Sequence, residues 1–412
     1  MTRRQTTVMF IFLCGMLLAA STPSYAKPPM PSVPNYLKPI QVFPQQPSSE
    51  AAARANIAAA RAQAAAEARG EVTSSALAAS VNNSTSTYTL YVNCPNSPAS
   101  KTYGTIQDAV AVALPHTTIK VCPGTYVTGG ASTGILVTTS WIKIEGVLTH
   151  AGDETLNCTS GPNPTDGSYG FWLEGQGDEV EYMTVSDCDF GVYIGFNPET
   201  KGSKVTHDYF NDDYNGVDVF DGVDITISDS HFQTNFYPIF TKYDAKDCIS
   251  GNTIEGDGNF DDDGIYVEYG VSAKIESNTV NGSEFGLEMD LYNALAWVES
   301  NHFDGNEVGV YLGADLTATT VGDNSGNTFE KNYASGNFLV GFLLDDTEGA
   351  DAIPDSGANK FLKNQAYGNG AYDYFDDTYG YLGNEADTNA GTADYYKGNK
   401  GGSAVPGAIF FQ

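Results

Sequence analysis

The most informative absence in this chain is that of arginine. After Arg69 the sequence contains no arginine, and the segment from Glu71 to Gln412 has 13 lysines against 49 acidic residues, a formal charge of −36. A surface this acidic repels nucleic acid and anionic membranes. Both are therefore poor partners, and a polyanionic ligand is expected only where a cation intervenes.

Histidine and long apolar runs are also scarce. The five histidines are scattered (His116, His150, His207, His231 and His302), so a zinc or copper site is not expected. The one long apolar run, Val8 to Ala20, is too short to span a bilayer and follows Arg3 and Arg4. We therefore predict a signal peptide over residues 1–26, and a protein that is secreted or located in the periplasm or cell envelope.

Residues 27–82 have no periodic apolar pattern. A proline-rich spacer occupies Lys27 to Pro47, and an alanine-rich stretch follows from Glu50 to Arg69 with Gly70 as its stop. Ile57 is the only large apolar residue of that stretch, so the predicted helix has no face to bury. It is interpreted as a solvated stalk, with an oligomerising or tethering segment as the alternative.

A repeat governs the region from residue 83 to 412. Glycine followed by an apolar, a variable and an apolar residue recurs at intervals of 21 to 32 residues, with Pro238 in one slot. The marker glycines are Gly170, Gly191, Gly216, Gly264, Gly286, Gly309 and Gly341. A second mark, a polar residue two places before an apolar one, lies between them. It comprises Ser230, Asn252, Asn278, Asn301, Asn327 and Asn359.

Such units are too small to bury their own apolar side. Short strands with a period of two, separated by turns, can stack as a solenoid in which each unit adds one strand to each parallel sheet. Successive coils are then about 4.8 Å apart. The sequence predicts an all-β fold of about ten such coils.

These motifs resemble the right-handed parallel β-helix of the pectin-lyase-like superfamily. The opening Tyr103 to Val110 and Pro123 to Tyr126 resemble its N-terminal capping helix and first coil, and the asparagines resemble its internal ladder between the second and third sheets. The resemblance implies that the glycine-led strands form a first sheet whose outer face carries the substrate groove. It also covers lyases, hydrolases, epimerases and non-catalytic surface proteins.

Cysteine pairing follows from this placement. Cys94 and Cys122 flank the capping helix and are expected to form a disulfide, and Cys158 with Cys188 one coil later is a plausible second bridge. Cys248 is expected to remain a lone thiol on an outward column.

The outward positions of the first sheet form the candidate site. Residues two and four places after each marker point outward. One column combines aromatic rings with carboxylates, which suits the apolar faces and hydroxyl groups of pyranose rings. Its predicted substrate-binding residues are Trp172, Tyr193, Asp218, Phe240, Tyr266 and Tyr311. Burial of these rings under loops is the structural alternative.

Three acids on that face are the catalytic candidates: Glu268, Glu288 and Asp290. Glu268 and Asp290 are expected about 4.8 Å apart in neighbouring coils, and Glu288 and Asp290 about 6.6 Å apart on one strand. These spacings permit an acid–base pair for glycoside hydrolysis. An acidic solvated strip is the alternative.

Alternating oxygen ligands at Asp257, Asn259, Asp261 and Asp263 suggest a Ca²⁺ site, although Asp262 stands where a calcium loop of this kind has glycine. The family's hydrolase motifs and the arginine base of its pectate lyases are absent from the repeat region. The absence of these motifs weighs against both activities. The aromatic and acidic face leads us to expect an exported protein that engages a polysaccharide or cell-surface glycan, and whether it also degrades that glycan is left open. The alternative is a non-catalytic surface scaffold or adhesin-like protein.

Overall fold

The computed structural model describes residues 88–128, 134–147, 154–158, 168–195, 200–260, 262–290, 293–313, 324–344, 356–357, 359–376, 394–405 and 409. The predicted signal peptide, spacer and stalk lie outside these residues. Among the residues described, no helix is long and apolar enough to cross a membrane.

Three long parallel sheets run side by side along the described chain, because each coil contributes one short strand to each. The first sheet has eleven strands: Ile135–Val137, Tyr169–Leu173, Phe190–Gly195, Asn215–Phe220, Tyr237–Lys242, Ile265–Glu268, Phe285–Asp290, Val308–Gly313, Val340–Leu344, Tyr372–Asp376 and Ala404–Val405. The predicted solenoid of about ten coils is confirmed.

The second sheet follows the first within each coil. Its thirteen strands are Tyr88–Val92, Thr102–Tyr103, Thr117–Val121, Lys143–Gly146, Glu179–Glu181, Lys204–Thr206, Thr226–Ser228, Cys248–Ser250, Lys274–Glu276, Trp297–Glu299, Thr328–Glu330, Lys360–Leu362 and Tyr395–Lys397.

The third sheet closes each coil. Its ten strands are Gly124–Thr128, Glu154–Cys158, Thr184–Ser186, Tyr209–Asn211, His231–Gln233, Thr253–Glu255, Thr279–Asn281, His302–Asp304, Tyr333–Ser335 and Gln365–Tyr367. A short two-stranded pair joins Asn324–Ser325 to Ser356–Gly357.

Close packing between coils explains the marker glycines. A Cβ added at Gly216 would lie 2.6 Å from the carbonyl oxygen of Pro238 in the next coil, and one at Gly264 would lie 2.6 Å from the carbonyl oxygen of Gly286. Both distances are shorter than any ordinary Cβ contact, so only glycine fits where the first sheet begins. The spacing of these glycines therefore records the length of each coil.

The interior is a column of stacked apolar side chains. The rings of Phe210 and Phe232 stack at 4.8 Å, and Phe329 and Phe361 at 4.8 Å, each pair in adjacent coils and fully buried. Aromatic stacking of this kind adds to the burial energy of the core.

The N-terminal end is capped as predicted. The helix Ile106–Val112 begins after Thr105, whose Oγ1 accepts the Asp108 amide at 3.1 Å, and it buries Ile106 and Ala109 against the first coil. It ends at Val112, and the amide of the following Ala113 bonds the carbonyl of Val110.

Both expected disulfides are present. Cys94 pairs with Cys122 across the helix, and Cys158 pairs with Cys188 one coil later. Cys248 is a free thiol that lies in register with Lys274 on the outer face of the second sheet.

Candidate functional site

The outer face of the first sheet has the register that the glycine spacing predicts. Tyr266 pairs with Phe240 on one side and with Glu288 on the other, and Glu288 pairs with Tyr311. The same column continues through Asp218, Tyr193 and Trp172. The six predicted binding residues therefore lie in one continuous row across seven coils.

The two ends of this row differ in exposure. Tyr193 is only 2% exposed, because the rings of Tyr169, Trp172 and Phe190 surround it at centroid distances of 5.6 to 5.7 Å. A ring enclosed in this way cannot serve as a stacking platform. At this end the ring is buried, as in the alternative given above, and Tyr193 packs within an aromatic cluster on the outer face of the sheet.

The centre of the row is more open. Phe240, Tyr266 and Tyr311 are half-buried. Tyr237 lies 5.9 Å from Phe240 and 6.0 Å from Tyr266, and the rings of Phe240 and Tyr266 are 5.1 Å apart. We call Tyr237, Phe240 and Tyr266 the aromatic patch. It presents ring faces and edges beside the acidic candidates.

Glu268 is held by two partners. Its Oε1 accepts a hydrogen bond from the Tyr266 hydroxyl at 2.6 Å, and its Oε2 forms an ion pair with Lys242 in the preceding coil. Lys242 also lies over the rings of Tyr243 and Tyr269, at 5.4 and 6.0 Å. A carboxylate fixed between a cation and a hydroxyl group is poorly suited to exchange protons with a substrate.

Glu288 instead pairs with Asp263. A hydrogen bond joins their carboxyl groups, and burial raises the pKa of both well above the usual range. The charges of Glu284 and Asp290 raise both pKa values further, whereas the hydrogen bond with Glu288 lowers the pKa of Asp263. Two carboxyl groups in hydrogen-bond contact cannot both ionise easily, because the bond between them requires a proton on one of the two. Asp290 is buried one coil beyond Glu268.

Asp218 is buried and accepts a hydrogen bond from the Asn215 side chain at 2.6 Å. Burial raises its pKa to about 7, whereas Asn215 and Lys242 act in the opposite direction. Asp218 therefore belongs electrostatically to the group around Lys242 and Glu268.

The proposed calcium ligands do not converge in the described residues. Asp257 accepts hydrogen bonds from the backbone and side chain of Asn259, whereas Asp263 bonds Glu288. Asp261 lies outside the described residues, and within those described no group of three or more His, Cys, Asp or Glu side chains could hold a metal ion. The calcium site stays a prediction that this geometry does not support.

Asp263 is the residue whose role sequence reasoning missed. The alternation of oxygen ligands assigned it to calcium. Asp263 stands two residues before Ile265. Because Ile265 is in register with Leu287, Asp263 is in register with Phe285 of the next coil. Strand alternation counted back from the buried Ile265 would place Asp263 inward as well, so the glycine spacing could not have predicted its contact with Glu288.

Comparison with known proteins supports the fold. Residues 169–324 match the family described as right handed beta helix region. The chain contains a right-handed parallel β-helix. No curated protein matches this sequence.

Three solved structures illustrate the distance to known proteins. An A-module of a mannuronan C-5 epimerase from Azotobacter vinelandii is 14% identical, covering 65% of this chain and 72% of its own, with a TM-score of 0.43. A pectate lyase is 17% identical, covering 77% and 78%, with a TM-score of 0.39. The Dettilon tailspike protein is 11% identical, covering 77% and 68%, with a TM-score of 0.44. These likenesses carry no argument about activity.

Proposed function

We propose that this protein is exported and binds carbohydrate at the centre of the first sheet's outer face. The aromatic patch beside the Asp263–Glu288 pair carries the proposal. Aromatic rings contact the apolar faces of a pyranose, and carboxyl groups take up its hydroxyl groups as donors or acceptors. Because the rings and acids are fixed by strands, the surface is preformed.

The Asp263–Glu288 pair is also the candidate for chemistry. A hydrogen-bonded carboxyl pair that keeps one proton holds both an acid and a base, as proton transfer at a glycosidic bond requires. The two groups are closer than the separations of about 5 Å or more that glycoside hydrolysis uses. If cleavage occurs, Asp290 is therefore the more suitable partner for Glu288, because the two are adjacent outward positions on one strand.

A glycan array followed by reducing-sugar assays tests the proposal. The double variant Tyr266→Ala with Glu288→Gln should reduce binding at least tenfold, because it removes a ring face and a carboxyl group together. Trp297→Ala is a suitable control, since Trp297 is an exposed ring on the second sheet. Undiminished binding by the double variant would remove the site assignment.

The second candidate function is that of a non-catalytic envelope scaffold. The enclosure of Tyr193 favours it, since it shows that part of the aromatic row serves packing. This alternative predicts glycan binding without turnover, or no binding at all. Export itself is tested by sequencing the N-terminus of the mature protein, which should begin near Lys27.

A further inference from the structure

Charge on the first sheet is distributed unevenly. In the described strands of this sheet Lys242 is the only basic residue, whereas Asp218, Glu268, Glu288 and Asp290 lie on the same outer face. A sugar that carries a carboxylate needs a positive partner at such a surface, because an unpaired anion beside carboxyl groups is costly to desolvate.

Lys242 is already engaged. Its ammonium group forms the ion pair with Glu268, lies near the Asp218 carboxyl and is flanked by two tyrosine rings. The bond from Tyr266 to the other oxygen of Glu268 fixes that carboxylate in place. The only cation of these strands is therefore neutralised within the protein.

From this arrangement we infer that Glu268 is a specificity-determining residue rather than a catalytic one. By occupying Lys242, it restricts the face to uncharged saccharides and excludes uronates. This inference rests on the proposed function and deepens it by naming the substrate class.

Matched oligosaccharides that differ only at C6 provide the test. Dissociation constants are measured in EDTA for gluco-, galacto- and manno-oligosaccharides and for the corresponding uronates. We expect the native protein to prefer an uncharged oligomer over its uronate at least tenfold. Glu268→Gln should shift this ratio at least tenfold toward the uronate, and Asp218→Asn with Glu268→Gln should shift it further, because the double variant leaves Lys242 without a carboxylate partner among these residues.

Glu276→Gln is the matched control. Glu276 forms an equivalent ion pair with Lys274 at 2.7 Å on the second sheet, so its variant removes the same charge without altering the first sheet. Its ratio should equal that of the native protein. Lys242→Met tests whether the native lysine is available to the ligand, and this test does not depend on the folding of Glu268→Gln. It should not weaken the preference for the uncharged oligomer, because the native lysine is not available to the ligand and its removal leaves the Glu268 carboxylate without its cation.

The outcomes separate the two proposals. A native preference for uronates, or an unchanged ratio in both Glu268 variants, would overturn the inference while leaving carbohydrate binding intact. Loss of the native preference in Lys242→Met would also overturn it. Failure of the native protein to bind any of these saccharides would overturn the proposed function itself.

Discussion

Two stretches of the solenoid use different side chains to accept backbone amides at the turns between strands. At the turns between strands, one side-chain oxygen accepts a backbone amide from the preceding coil. From residue 178 to 247 this role falls mainly to buried aspartates, and from 252 onward mainly to asparagines. The aspartates are Asp178, Asp208, Asp213, Asp244 and Asp247. The asparagines include Asn252, Asn278, Asn293, Asn301, Asn327 and Asn332.

An asparagine in this column forms hydrogen bonds through both the oxygen and the nitrogen of its side-chain amide. The Asn278 oxygen accepts the Asn252 amide at 3.0 Å, and its nitrogen donates to the Ile249 carbonyl at 2.9 Å and to Asn301 at 3.0 Å. A buried column with every donor and acceptor paired strengthens the stack without any charge.

In the equivalent position, an aspartate of the first stretch forms this hydrogen bond through only one of its two carboxyl oxygens. Asp247 Oδ1 accepts the Ile225 amide at 3.0 Å, but its Oδ2 is buried without a hydrogen-bond partner among the residues that the structure describes. Burial raises the pKa of Asp247 to about 8, and it raises the pKa of Asp208, Asp213 and Asp244 well above the usual range. Burial therefore favours the protonated form of each of these aspartates.

The difference implies that a proton stabilises the first stretch. A group whose pKa is raised by folding contributes stability that is complete below its unfolded pKa, about 3.9, and is lost as the pH rises through its folded pKa. For Asp178 and Asp247, with folded pKa values of about 7 and about 8, this window extends from about pH 4 to pH 8. The asparagine side chains of the second stretch do not titrate, so their hydrogen bonds add no such dependence.

Placing an aspartate in the asparagine column should have the largest effect. Asn278→Asp loses both donated hydrogen bonds and sets a carboxylate against the Asn301 oxygen. We expect the free energy of unfolding to fall by roughly 3–5 kcal/mol at pH 7, and by less at pH 4, where the new carboxyl can be protonated. Urea unfolding at both pH values measures this.

Asn281→Asp is the control, because Asn281 is half-buried and donates one bond of 3.3 Å to the Ile254 carbonyl. An equal loss in both variants would mean that any added charge destabilises this region, and that the column has no special role.

The reverse exchange should stabilise the protein. Asp247→Asn supplies a permanent donor and avoids holding a proton that the unfolded chain releases. We expect a gain of roughly 2–4 kcal/mol at pH 7 and little change at pH 3.5, again by urea unfolding. Asp229→Asn in the preceding coil is exposed and should be neutral. A gain at pH 3.5 as large as at pH 7 would contradict the role assigned to the proton.

The contrast between the aspartates and the asparagines also shows which features could be predicted from the sequence and which could not. Glycine spacing predicted the fold because a Cβ at Gly216 or Gly264 would collide with the next coil, so the pattern is a direct record of geometry. The asparagine ladder was predicted for a similar reason. The aspartates were missed, because an acidic residue in a turn of a chain with so many acids is ordinarily interpreted as solvated. Their protonation depends on burial that only the stacked coils create.

For the candidate site, the register of the residues could be predicted from the sequence, but the contacts of their side chains could not. Register placed Tyr266 beside Glu288 and Glu268 beside Asp290, since strand alternation fixes which side chains share a face. The pairing of side chains did not follow, because Glu268 turns to Lys242 and Glu288 to Asp263. Nor did the enclosure of Tyr193, which depends on rings from neighbouring strands. Register is a backbone property, whereas pairing and exposure are decided by rotamers.

Hydrogen exchange should resolve the contrast within the native protein. The Gly222 and Ile225 amides bond Asp244 and Asp247, whereas the Asn252 and Ala296 amides bond Asn278 and Asn327. After correction for intrinsic rates, the first two should lose roughly tenfold in protection between pH 5 and pH 8, about 1.4 kcal/mol. The second two should not change. Parallel behaviour of all four amides would show that the two stretches are not energetically distinct.

The smallest effect is expected at Ser230, where the aspartate stretch gives way to asparagine. Its Oγ accepts the Asp208 amide at 3.1 Å and donates to the Ser228 carbonyl at 3.0 Å, so one atom performs both tasks. Ser230→Ala leaves a buried amide unpaired and should cost about 1 kcal/mol at every pH. Ser230→Asn extends the column by one coil toward Asn252 and should gain about 1 kcal/mol or less, also without pH dependence. If Ser230→Asn destabilises the protein instead, Asp208 on the neighbouring coil excludes an amide at this level, and the boundary between the two stretches is fixed by packing rather than by hydrogen bonding.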